Sequence, residues 1–178
     1  MKAAFQHAAK MRADRFCESD YAFATTPVRI RVIGRELADQ FCQPFAHLGT
    51  NERGSPVPHL TIDLCDEEET GISRPVESTS DGLETGWSVA GGLLATPPDG
   101  RVVCHQFRES VTWFDRAAQH MVGWTASSQV LSLYERGKPL LLLLAVWCHD
   151  RGVQLVHAGL VSRNGHGVLL PGTGGAGK

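Results

Sequence analysis

Seven residues of this 178-residue chain have the types and spacing to hold a phosphate: Gly172-Thr173-Gly174-Gly175-Ala176-Gly177-Lys178 satisfies G-x-x-x-x-G-K. Glycines let successive backbone N–H groups turn inward and approach phosphate oxygens without a side chain in the way. A lysine at the end of such a loop brings its ammonium to the terminal phosphates, and a Ser or Thr directly after it holds Mg²⁺. That hydroxyl residue is not among the 178, nor is the helix whose N–H groups and dipole would complete the cradle. The expectation is a phosphate loop read from the N-terminal portion of a larger protein, truncated here and inactive as it stands.

A phosphate loop has to be launched from a strand. Residues 153–163 form a strand-like run, Asn164-Gly165 suits a tight hairpin turn with positive φ at both positions, and 167–170 is a second apolar strand. Pro171 then releases the chain into the glycines. His157 lies in the first of these strands, fifteen residues before Gly172 and twenty-one before Lys178. A neutral imidazole beside a phosphate can donate a hydrogen bond or help to manage a proton. Lys178 is therefore a candidate catalytic residue and residues 172–178 are the candidate nucleotide-binding segment, whereas a lone histidine on an apolar strand, such as His157, is by itself most often a core or edge residue.

Val156-His157-Ala158-Gly159-Leu160-Val161, the turn, and Gly167-Val168-Leu169-Leu170-Pro171 leading to Lys178 resemble the start of the catalytic domain of the HPr kinase/phosphorylase family and its P-loop relatives. In that family a histidine opens the first strand of such a hairpin and the phosphate loop follows the second. The resemblance covers residues 153–178 and extends loosely back through the leucine run. It implies an ATP- and Mg²⁺-dependent kinase that phosphorylates a protein serine, with a fold akin to phosphoenolpyruvate carboxykinase. It also implies that His157 and Lys178 lie in the active site and that residues 172–178 bind the nucleotide. Residues 1–126 do not identify the phosphoryl acceptor. A non-catalytic regulatory or partner-binding module, or a nucleotide-binding ATPase without a protein substrate, are the alternative readings.

The rest of the chain must position this segment or regulate it. Residues 28–33 alternate apolar and basic side chains, the mark of a half-exposed strand, and 35–48 has amphipathic helical spacing with Pro44 to shorten or kink it. Residues 59–65 read as another strand. Asp66-Glu67-Glu68-Glu69 reads as a solvated loop rather than a metal site, and 71–86 as a loop or insertion. Residues 87–95 and 101–107, joined through Pro97-Pro98-Asp99-Gly100, form a hairpin pattern, with further short strands at 110–114 and 120–124. Residues 1–126 are thus a strand-rich, mostly antiparallel α+β module. Residues 127–178 begin an α/β P-loop domain, with a helix over 130–135 capped by Ser127 or Ser128 and a buried helix from Pro139 to about Asp150.

Composition narrows the remaining possibilities. Seventeen basic against nineteen acidic residues give a formal charge of −2, which lacks the broad basic surface of a nucleic-acid protein. The longest apolar run, 140–148, is too short for a bilayer span of roughly 20 residues. No signal peptide precedes it, so a cytoplasmic protein is expected. Five scattered cysteines, with no C-x-x-C pair, suit neither a disulfide framework nor a thiolate zinc site.

Overall fold

The alternation of Val28, Ile30 and Val32 with Arg29 and Arg31 is the seed of the architecture. A strand so patterned buries one face in apolar packing and offers its other face to partners that can meet two guanidinium groups. The computed structural model describes all residues except 24, 51–56, 76–87, 90, 91, 157 and 173–178, and only the backbone at 88 and 89. Its contacts divide the chain into two units, Met1–Leu143 and Leu144–Lys178.

In the first unit, helix α1 (Lys2–Met11) leads through a short 3₁₀ turn into strand β1 (Phe16–Phe23), which pairs antiparallel with β2 (Thr26–Ile33). Helix α2 (Arg35–Cys42) continues into a 3₁₀ segment carrying Pro44, and the chain returns as β3 (Leu60–Asp66), parallel to β2. A single turn, α3 (Glu67–Thr70), follows it. Strands β4 (Ser88–Val89), β5 (Gly92–Ala95), β6 (Val102–Phe107), β7 (Ser110–Asp115) and β8 (His120–Thr125) form an antiparallel meander whose last strand lies parallel to β3.

Among the described residues the result is an eight-stranded mixed sheet in the order β1-β2-β3-β8-β7-β6-β5-β4. The strand-rich, mostly antiparallel character expected from the sequence holds. What alternation alone did not show is the parallel centre formed by β2, β3 and β8. Parallel neighbours need a crossover, and here α2 supplies one of right length between β2 and β3.

Register sorts the sheet into two faces. On one, Ile33, Cys65, Trp124 and Val111 line up across four strands and pack with Phe5 and Ala8 of α1. On the other, Val28, Ile30 and Val32 stand beside Leu60, Ile62 and Leu64. All but Leu64 are buried to 1% or less. The unit also holds a 3₁₀ turn capped by Ser127, and helix α4 (Leu133–Gly137), whose N-cap is Ser132. The expected single helix over 130–135 is therefore split, because Ser132 and Glu135 form a capping box that restarts the helix at Leu133, three residues past Val130.

The border between the units falls within α5 (Leu141–Asp150), which begins two residues after Pro139 and ends ahead of Gly152, in left-handed conformation at φ 71°. In the second unit, β9 (Ala158–Arg163) and β10 (His166–Pro171) form an antiparallel hairpin. Asn164 and Gly165 turn it at φ 52° and 79°, as their types lead one to expect.

Candidate functional site

Strand β10 ends at Pro171, and Gly172, exposed and described, opens the glycine loop directly after it. Thr173, Gly174, Gly175, Ala176, Gly177 and Lys178 lie outside the described residues, as does His157, one residue before β9. The hairpin register sets Leu160 opposite Leu169 and Val161 opposite Val168. Its two faces are therefore both apolar, and Leu160, Val161, Val168, Leu169 and Leu170 are each 44–68% exposed. A strand that is apolar on both faces has the composition of an interior strand in an α/β sheet, covered on each side.

The first unit contains chemistry that the motif search did not find. In open sheets with parallel strands, ligands gather outside the carboxyl ends of those strands. Here that edge is closed by the protein's own carboxylates. Gly34, at φ 128°, turns β2 into α2, and a side chain there would come within 2.9 Å of Asp66 Cβ and 3.0 Å of Glu69 Oε2. Glu69 accepts the first N–H groups of α2 from Arg35 (2.9 Å) and Glu36 (3.3 Å), together with the guanidinium of Arg15. Burial works against the Glu69 carboxylate, but these donors prevail and hold it below its ordinary range. Asp66, fully buried, accepts from Glu69 N (3.0 Å) and from Ser128 N (2.8 Å), tying β3 to the segment after β8. The reading of 66–69 as a solvated loop is thus corrected at Asp66 and Glu69, the internal anions of a strand end and a helix start, while Glu68 is exposed and Glu67 pairs with Arg74.

A second polar group crosses the sheet face beneath α1. Asp63, with no exposed surface, accepts both forks of Arg31 at 2.6 and 2.7 Å and lies 2.7 Å from His120 Nε2. The Arg31 guanidinium in turn sits 5.6 Å over the Phe5 ring. Both oxygens of the buried carboxylate thus have a partner, Oδ1 in Arg31 and Oδ2 in Arg31 and His120, which is the condition for keeping a charge inside.

The third group borders a cavity of about 40 Å³ on the opposite face. His105, Thr112, Gly123 and Leu64 are consecutive partners across β6, β7, β8 and β3. A side chain at Gly123 would meet Thr112 Oγ1 at 2.6 Å and Leu64 at 2.9 Å, so glycine is what lets those two neighbours close over β8. Above it stand Phe41 of α2 and Tyr134, Glu135 and Lys138 from α4 and its end. His105 stacks on Phe107, which packs on Tyr134, and Lys138 Nζ lies 5.7 Å over the Tyr134 ring. Burial keeps the His105 imidazole below its ordinary range, with nearby Glu135 partly opposing. Its Nε2 is buried with no hydrogen-bond partner among the described residues. Glu135 itself is engaged by Ser110 Oγ (2.7 Å) and by Ser132 N and Oγ (3.0 and 2.9 Å).

None of the residues in these three groups carries a motif. Their adjacency is a product of strand register, and a single sequence holds no signal for it. All five cysteines are free, and burial raises the thiols of Cys42, Cys65, Cys104 and Cys148, those of Cys65 and Cys104 to about 11, which makes these four poor nucleophiles. Among the described residues no cluster of His, Cys, Asp and Glu is arranged to hold a metal, and no helix is long and apolar enough to cross a membrane. Set against protein-family models, curated proteins and solved structures, the chain gave no match.

Proposed function

We propose that the chain carries the nucleotide-binding entry of a P-loop phosphoryl-transfer protein of the HPr-kinase-like type, which passes phosphate from ATP to a protein serine. The observation that carries this reading is the placement of the motif. An apolar strand, β10, runs to Pro171, and G-x-x-x-x-G-K starts at the next residue, as a phosphate loop requires. The tight 164–165 turn and the two apolar hairpin faces support it further, since P-loop strands sit inside a sheet covered by helices.

In this reading the backbone N–H groups of 172–177 cradle the phosphates and the Lys178 ammonium neutralises their charge. His157 stands at the start of the paired strand to donate to, or take a proton from, the reacting group. ATP, with Mg²⁺ between its phosphates, supplies the transferable phosphoryl group. The charge balance and the absence of a long apolar helix among the described residues favour a protein partner over nucleic acid or a bilayer.

The test is the Mg-ATP affinity of the intact protein by calorimetry, wild type against Lys178→Ala. Loss of a charge-assisted contact to phosphate costs about 2 kcal/mol, so roughly thirtyfold weaker binding is expected. Equal affinity in the two proteins would remove the phosphate role of the loop.

A further inference from the structure

We infer that two copies of this chain pair through the outer edge of β9, antiparallel and about a two-fold axis at Leu160, into a four-stranded sheet of order β10-β9-β9-β10. The inference rests on the register of the hairpin and on no residue of the phosphate loop.

The turn fixes which backbone groups are free. With Asn164 and Gly165 both at positive φ, Arg163 and His166 are the hydrogen-bonded pair that closes a two-residue loop. Bonded and non-bonded pairs alternate from there, so Gly159, Val161 and Arg163 direct their N–H and C=O groups to β10. Ala158, Leu160 and Ser162 point theirs outward, and among the described residues nothing pairs with them. Leu160 is 68% exposed although it stands in mid-strand. A lone two-stranded hairpin is at best marginally stable in water, and β9 and β10 form a sheet of just these two strands.

The two edges of the hairpin are not equivalent. On β10 the outward residues are Gly167, Leu169 and Pro171, and proline has no N–H to give. Sheets guard an open edge with proline or with charge. From Ala158 to Ser162, β9 carries neither. Its edge is the one built to be paired.

A second copy meets that edge group for group. With Leu160 on its own equivalent, Ala158 lies opposite Ser162 and Ser162 opposite Ala158, so each outward residue exchanges both of its bonds. A register shifted by two residues leaves Ala158 or Ser162 without a strand partner. Leu169 and Leu160 of each copy then form one continuous apolar stripe across the new sheet, and Val168 and Val161 line its other face. The charge on β9, Arg163, lies at the strand end. In this register the two guanidinium groups are about 20 Å apart, beyond the screening length of physiological salt.

The experiment is hydrogen exchange of the 178-residue chain, read by residue-resolving mass spectrometry, with sedimentation velocity beside it. Edge pairing makes a smaller interface than the standard ~800 Å² per partner, so concentrations from about 1 µM to about 1 mM span its dissociation. Across that span the amides of Ala158, Leu160 and Ser162 are expected to gain at least tenfold protection while those of Gly159 and Val161 stay as they were. Sedimentation is expected to show one step, from monomer to dimer.

Leu160→Pro removes an outward N–H and leaves the hairpin's own bonds, and is expected to abolish the dimer. Leu169→Pro takes a leucine from the same face but an N–H from the other edge, and is expected to keep it. Lys178→Ala is expected to change nothing here, which separates this outcome from that of the phosphate loop. A monomer throughout, protection gained at Gly167 and Leu169 instead, growth past the dimer, or equal dissociation by both proline variants would each overturn the pairing. The exchange pattern is read on the unmodified chain, so the test holds whether or not either variant folds.

Discussion

Asp63 shows how a single residue's environment decides its meaning. In the sequence it is a lone acid inside the apolar run of β3, a place where a carboxylate would ordinarily be excluded. The fold answers that cost with Arg31, 32 positions earlier on the neighbouring strand, and His120, 57 positions later. Neither separation follows a pattern that could be read along the chain. Removing the charge leaves the Arg31 guanidinium, itself three-quarters buried, without its partner. Asp63→Asn is expected to destabilise the protein by about 3 kcal/mol, at the lower end for a broken buried pair because Arg31 keeps some contact with water. Urea denaturation with an unchanged slope would measure it, and a loss below about 1 kcal/mol would show that the network is not a true buried ion pair.

Element starts and ends carry the next level of organisation. Helix α2 has no side-chain cap of its own; Gly34 sits at its N-cap, and the missing acceptor comes from Glu69 across the strand ends. Because the folded state holds Glu69 below its ordinary range, it binds fewer protons than the unfolded chain. Its contribution is therefore fully present above the unfolded value of 4.5 and is lost as pH falls through the lower folded value. Glu69→Gln is expected to cost about 1–2 kcal/mol at neutral pH and to flatten the acid limb of stability against pH. Thermal melts of both proteins between neutrality and strong acid would check this, and parallel limbs would assign the acid sensitivity to other carboxylates. The four-residue acid run was legible as sequence, but its role was not. A solvated loop and an internal cap have the same composition, and only the approach of α2 distinguishes them. By contrast, the 164–165 turn was legible because its φ requirement is local to two residues.

At the scale of the whole molecule the two units differ in how they are supported. The first has a continuous core on both faces of its sheet, from Phe5 and Trp124 on one side to Leu60 and Ile62 on the other. The hairpin of the second presents its apolar side chains to solvent on both faces.

By itself the sequence determined what depends on near neighbours: the strand and helix periods, the hairpin turn, and the glycine loop with its lysine and the histidine spacing before it. These are short-range because backbone sterics and side-chain period act over a few residues. Tertiary structure alone decided the parallel centre of the sheet, the Arg31–Asp63–His120 network, the Glu69 cap of α2 and the row through Gly123. The network and the row through Gly123 depend on strand register, where a shift of one residue would send their side chains to the opposite face, and the parallel centre and the Glu69 cap depend on the crossover that brings α2 to the end of β3.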